Sequence, residues 1–143
     1  MSGYLLDTNI LSNATKPTPS ASLIAWLEKQ NDEDLFICSL NVAEIWSGIL
    51  ELPAGKRRKA LEDWFRGPEG PQALFAGRVL TFDEKAALAW GRLMAEGVKM
   101  GRPRSPIDMI LAAIAETNGC VVVTENEKHF AGLKFINPMR PAQ

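Results

Sequence analysis

Three acidic residues stand where apolar segments end or helices begin. Asp7 closes the first apolar run, in Tyr4-Leu5-Leu6-Asp7-Thr8-Asn9. Glu44 falls in the opening turns of a helical stretch that follows a second run, and Asp108 stands at the head of another helix, in Ser105-Pro106-Ile107-Asp108. Open α/β sheets bind ligands outside the carboxyl ends of their strands, and carboxylates gathered there are hard oxygen donors that suit Mg²⁺ or Mn²⁺, not zinc. Two carboxylates about 4 Å apart repel by about 4 kcal/mol at an effective dielectric of about 20, so a cluster of three calls for a cation or a proton. Divalent ions flanking a phosphodiester can activate a water and stabilise the leaving oxygen, which makes phosphodiester hydrolysis the chemistry this equipment suits.

Each acid also has a simpler role. Asp is a favoured N-cap, so Asp7 can cap a short helix starting at Thr8. Glu44 lies on the far side of its helix from the Val42, Ile45, Trp46 and Ile49 stripe, where a solvated carboxylate is expected, although Ser47 and Gly48 beside it leave room for a ligand. Asp108 makes a Ser-x-x-Asp pattern with Ser105, which reads as a capping box. The helix beyond it, Met109 to Ala115, is apolar nearly all round, and a carboxylate at the head of a buried helix needs a cation or hydrogen-bond donors. The fourth apolar run ends in Thr124-Glu125-Asn126, and Thr124 and Asn126 suit either a turn or the edge of the same site.

The elements that must position these residues follow from patterning. Tyr4–Leu6, Leu35–Cys38, Arg78–Leu80 and Cys120–Val123 are short and continuously apolar, as strands of a buried parallel sheet are, and Leu133–Ile136 adds an edge strand. Between them the helical period recurs. Ser20 or Ser22 caps a helix carrying Leu23, Ile24, Trp26 and Leu27, and Ser39 caps the helix of Glu44, which ends at Pro53. A basic helix runs from Lys56 to Phe65 and is broken by Gly67-Pro68-Glu69-Gly70-Pro71. Asp83 caps the next, which ends between Gly97 and Gly101, and Ser105-Pro106 opens the last, which Gly119 closes. This order predicts a three-layer α/β/α sandwich around a mostly parallel sheet of four to five strands.

Composition sets the background. The 143 residues are 46% hydrophobic, fit a single domain over 1–143, and carry a net charge of −1, which excludes a generally basic nucleic-acid binder and leaves local patches or a bound cation to do that work. Cys38 and Cys120 each lie in an apolar run and read as buried hydrophobes, the usage of a reducing cytoplasm. No run reaches the roughly 18 apolar residues a membrane helix needs. Trp26, Trp46, Trp64 and Trp90 read as core, and Lys56-Arg57-Arg58-Lys59 as a solvated helix face. A dehalogenase-like phosphatase would need Asp where Asn9 stands, and a receiver domain an acidic pair that is missing here.

Four motifs in order resemble a PIN domain, and more narrowly the VapC-type or FitB-like toxins of type II toxin–antitoxin systems: Leu5 to Ser12, Ser39 to Glu44, Gly101 to Asp108, and Val123 to Phe130 with Ile136-Asn137-Pro138. The resemblance implies a Mg²⁺-dependent endoribonuclease, with Mn²⁺ an alternative ion, silenced by a cognate VapB-like antitoxin. It also implies a homodimer, larger toxin–antitoxin assemblies, and contact with operator DNA only through the antitoxin. Asp7, Glu44 and Asp108 become the catalytic, metal-binding acids. Asn126 takes the place of a fourth acid and reaches the metal through water, and His129 stands where such toxins often have Asp. Thr8, Asn9, Arg102, Arg104, Thr124, Asn126 and Lys128 become substrate contacts. A FitB-like protein acting mainly through a DNA-binding antitoxin is the alternative.

Overall fold

The computed structural model describes residues 3–140; the expected single domain also takes in 1–2 and 141–143, which lie outside them. Five parallel strands, β1 (Gly3–Leu6), β2 (Leu35–Cys38), β3 (Val79–Leu80), β4 (Cys120–Val123) and β5 (Phe135–Ile136), form a sheet in the order β3-β2-β1-β4-β5. Because the two central strands are covered on both faces, their side chains alternate between two apolar layers. Leu5 and Val122 point into one, with Ala86, Leu93, Met109, Ile114 and Phe130; Leu6 and Val123 point into the other, with Ile10, Leu23, Ile37 and Phe75. The expected α/β/α sandwich is the fold observed.

Helices α1 (Thr8–Ala14) and α2 (Ala21–Glu28) connect β1 to β2, and α3 (Ser39–Leu50), α4 (Lys56–Arg66) and α5 (Pro71–Leu74) connect β2 to β3. Helices α6 (Glu84–Lys99) and α7 (Pro106–Thr117) then return the chain across the sheet to β4. The crossover direction reverses between β1 and β4, so the crevice of an open parallel sheet opens at the carboxyl ends of those two strands. Their register fixes what meets there. Leu6 pairs with Val123, so the next residues, Asp7 and Thr124, leave the sheet side by side, tied by the Asp7 N–H donating to the Val123 carbonyl at 2.9 Å.

Most caps fall where the sequence places them. Ser20 Oγ accepts from Leu23 N–H, Asp83 from Ala86 N–H, and Ser105 Oγ from Asp108 N–H, with Pro106 in the first turn of α7. The exception is α3. Ser39 is already helical and exposed; the extended backbone that precedes a helix belongs to Cys38, whose N–H donates to Asn41 Oδ1 at 2.7 Å. The cap of α3 is therefore supplied from within its first turn. Helix α5 is a second departure, a single turn at the end of the Gly/Pro segment, with Pro71 in its first turn and Pro71 and Phe75 buried beneath it.

Candidate active site

Asp7 is 9% exposed, among the few buried polar residues described, and it occupies the position that caps α1. Its carboxylate makes no capping bond. It accepts instead from the Thr124 hydroxyl at 2.7 Å, and that hydroxyl in turn accepts from the Asn126 N–H at 3.0 Å. Burial pushes the Asp7 carboxyl above its ordinary value, the charge of Asp108 pushes the same way, and the Thr124 hydroxyl with the nearby Thr8 and Asn9 N–H groups opposes them. Asp7 and Asp108 thus stand close enough to act on each other as like charges.

Glu44 is exposed, as its side of the helical wheel predicts, but it is not free. Thr8 Oγ1 donates to its Oε1 at 2.6 Å, and Asn41 Nδ2 donates to Thr8 Oγ1 at 2.9 Å. The register explains the meeting: Leu5 pairs with Phe36, so the end of β2 and the start of α3 lie level with the start of α1. Asp108, in the first turn of α7, is bonded to His129 Nδ1 at 2.8 Å, across from the 3₁₀ turn Glu127–Phe130. Three carboxylates therefore stand around the crevice, each bonded to a neighbouring segment, Asp7 to Thr124, Glu44 to Thr8 and Asp108 to His129. Among the described residues no three acidic, Cys or His side chains are drawn together tightly enough to hold an ion between them.

The other expected site residues divide by their surroundings. Arg102 and Lys128 are exposed and flank a cavity of about 460 Å³ beside His129. Arg104 lines the same cavity, yet its guanidinium is turned inward, donating to the Leu93 carbonyl at 2.8 Å and meeting Glu96 at 3.4 Å. Gly97 makes that inward course possible, since a Cβ there would lie 2.9 Å from the Arg102 carbonyl and 3.0 Å from Arg104 Cγ. Arg104 thus locks its loop onto α6 through its guanidinium, while the charged ends of Arg102 and Lys128 are free of such bonds among the described residues. Asn126 is half-buried and lends its N–H to Thr124; Asn9 is exposed in the first turn of α1. Asn41 was missed by the motif reading, although an Asn two residues after a helix start, three before Glu44, is the signal that finds it.

A groove of about 340 Å³ runs from Thr8 and Glu44 between α1, α3 and α4, past Ile45 and Gly48 to Arg57 and Trp64. The basic face of α4 is solvated and paired along the helix, Arg58 with Glu62 and Lys59 with Asp63. Trp46 stacks on Phe65 at 4.8 Å and Trp26 meets Tyr4 edge-on at 5.0 Å, both half-buried rather than core. Cys38 is buried, and burial raises its thiol pKa; Cys120 is only half-buried.

The PIN domain family model matches residues 4–136, and the chain belongs to that family. Within it, the VapC ribonuclease Y4jK of Sinorhizobium fredii is 37% identical over 140 residues, 96% of this chain and 99% of the relative. Toxin FitB of Neisseria gonorrhoeae is 32% identical over 136 residues, 94% and 96% of the two chains. A solved structure of FitAB bound to an IR36 DNA fragment superposes with a TM-score of 0.88 at 30% identity, covering 98% of both chains. No described helix is long and apolar enough to cross a membrane.

Proposed function

We propose that this chain is the toxin of a type II toxin–antitoxin pair, a metal-dependent endoribonuclease that hydrolyses RNA phosphodiester bonds in the cytoplasm. The observation that carries the reading is Asp7 at the β1/β4 switch point with Asp108 near enough to act on its charge and Glu44 held by Thr8 beside it, in a chain 37% identical over 96% of its length to a relative named as a VapC ribonuclease. The donor set fits Mg²⁺ or Mn²⁺: it is all oxygen, and the carboxyl of Asp7 is raised by burial and by Asp108, a situation that a divalent cation relieves. Asp7, Glu44 and Asp108 would hold the ion, with Asn126 reaching it through water. When bound, such an ion supplies a water of lowered pKa and charge for the departing oxygen.

The protein's own groups do the rest. Thr124 and Thr8 fix the directions of Asp7 and Glu44 by donating to them, and the buried floor of Phe130 and Met109 beneath the head of α7 keeps that helix start in place. Arg102 and Lys128 offer exposed cations to the phosphates on either side of the scissile bond, with Thr8 and Asn9 at the opposite lip. The groove that leads from Glu44 to Arg57 and Trp64 suits an apolar antitoxin helix carrying an acidic residue toward Arg57, and the assembly is then a dimer of toxins in a larger complex that meets operator DNA only through the antitoxin.

The test is cleavage of total RNA by the purified chain with Mg²⁺ or Mn²⁺. Loss of cleavage in Asp7→Asn and Asp108→Asn, with the fold retained, supports the site; undiminished cleavage by either variant removes it. The similarity to FitB and to DNA-bound FitAB favours a second reading, in which the chain serves mainly to complex a DNA-binding antitoxin. Absence of cleavage across a broad RNA panel, together with tight antitoxin and operator binding, would select that reading.

A further inference from the structure

We propose that Asn41 is a positioning residue, whose buried side-chain amide sets the direction of the Thr8 hydroxyl and so holds Glu44 toward the crevice. The proposal rests on the nuclease reading for its consequence, but not for its geometry. Asn41 is 0% exposed, and an amide buried this completely is costly unless both ends are bonded. Its orientation has one solution. The Cys38 N–H can only donate, so the atom facing it at 2.7 Å is the Asn41 oxygen, and the NH₂ must then face Thr8 Oγ1 at 2.9 Å. A hydroxyl has one proton; with Asn41 occupying a lone pair of Thr8, that proton goes to Glu44 Oε1 at 2.6 Å. Three donations run in one direction, from the end of β2 to a carboxylate on the open face of α3, and bonds aligned in this way polarise and strengthen one another.

Capping alone does not require the amide. Ionised Asp at the same place accepts from the Cys38 N–H equally well and is favoured by the helix N-terminus, so the NH₂ is accounted for by Thr8. The other half of the site has the same construction. Thr124 donates to Asp7 while accepting from the Asn126 N–H, so there the main chain supplies the donor that orients the hydroxyl. Among the described residues no main-chain N–H reaches the Thr8 hydroxyl, and Asn41 takes that part.

Asn41→Asp separates the two jobs. At pH 8 its carboxylate keeps the cap but cannot donate, so the Thr8 hydroxyl turns to residue 41 and releases Glu44. The expected crystal structure of this variant shows the Glu44 oxygens beyond hydrogen-bond distance of Thr8 Oγ1, in a chain that still folds cooperatively but melts below the parent because a buried carboxylate is costly. RNA cleavage is expected to lose at least tenfold in kcat with KM changed less than threefold, and Thr8→Val combined with Asn41→Asp to be no slower than Thr8→Val alone. Glu44 still bonded to Thr8 in Asn41→Asp, or losses that multiply in the double variant, would overturn the proposal. A wild-type chain with no RNase activity would defeat the nuclease reading while leaving the crystallographic result to decide the role of Asn41. Should Asn41→Asp not fold, the side-chain amide resonances of Asn41 decide it: they shift in Thr8→Val if the amide donates to Thr8, and unshifted resonances refute the relay.

Discussion

Replacing Thr124 by valine isolates the interaction that holds Asp7. The substitution keeps shape in a site that is 0% exposed and removes one oxygen, which donates to Asp7 Oδ2 at 2.7 Å and accepts from the Asn126 N–H at 3.0 Å. A hydrogen bond to a charged group contributes about 1.5–3 kcal/mol, and the half-buried Asn126 N–H left without its acceptor adds about 0.5–1 kcal/mol. The extra buried methyl returns about 0.8 kcal/mol. The net loss is about 1.5–3 kcal/mol, a fall in Tm of about 5–10 °C for a chain of this size. Urea denaturation of the metal-free protein, with the slope m unchanged, measures it. The loss also depends on pH. Thr124 lowers the folded-state pKa of Asp7, so its contribution is full where Asp7 is ionised and shrinks as pH falls through that pKa, which burial places above the ordinary 3.8. A loss below about 0.5 kcal/mol at pH 7, less than any single hydrogen bond of this kind contributes, or one equally large at pH 7 and at pH 3, would refute the reasoning.

Asp7→Asn should abolish metal-dependent cleavage yet stabilise the metal-free protein at pH 7: the folded pKa of Asp7 is raised, so ionising it costs stability above 3.8, and the gain vanishes below that pH. Thermal melts of both proteins in chelator across pH check the sign. Phe130→Ala, at a position 0% exposed under the head of α7, should cost about 3–5 kcal/mol in urea denaturation and slow cleavage by loosening Asp108. Arg104→Ala should lower stability by about 1–2 kcal/mol through the lost bond to the Leu93 carbonyl, with KM for RNA unchanged, whereas Arg102→Ala should raise KM and leave stability within about 0.5 kcal/mol. Steady-state kinetics beside denaturation curves tell those two arginines apart.

The fold was legible because continuous apolar runs of four residues leave little choice but a buried parallel sheet, and because Ser20, Asp83 and Ser105-Pro106 mark helix starts by local chemistry. Ser39 misled since serine is a good cap by composition, while the bond that starts α3 reaches back from Asn41, an interaction the pattern of apolar residues does not register. The placement of Asp7 at the end of β1 and of Glu44 and Asp108 in the first turns of α3 and α7 followed from the order of elements. Their pairings were less legible: a hydrogen-bonding Thr124 is expected at the site, but that Asp7 is its partner depends on the β1/β4 register, and His129 against Asp108 depends on how the 3₁₀ turn folds over α7. Arg104 looked available because its neighbours are polar and loop-like, but the space above Gly97 draws it inward, and a one-dimensional reading cannot see that space.

The nuclease activity of this chain is tested most directly by sequencing RNA ends after its brief induction in a bacterial host, beside Asp7→Asn at the same protein level. Discrete new ends are expected within minutes for the wild type and none for the variant. The same new ends in both, or none in either, would contradict that activity.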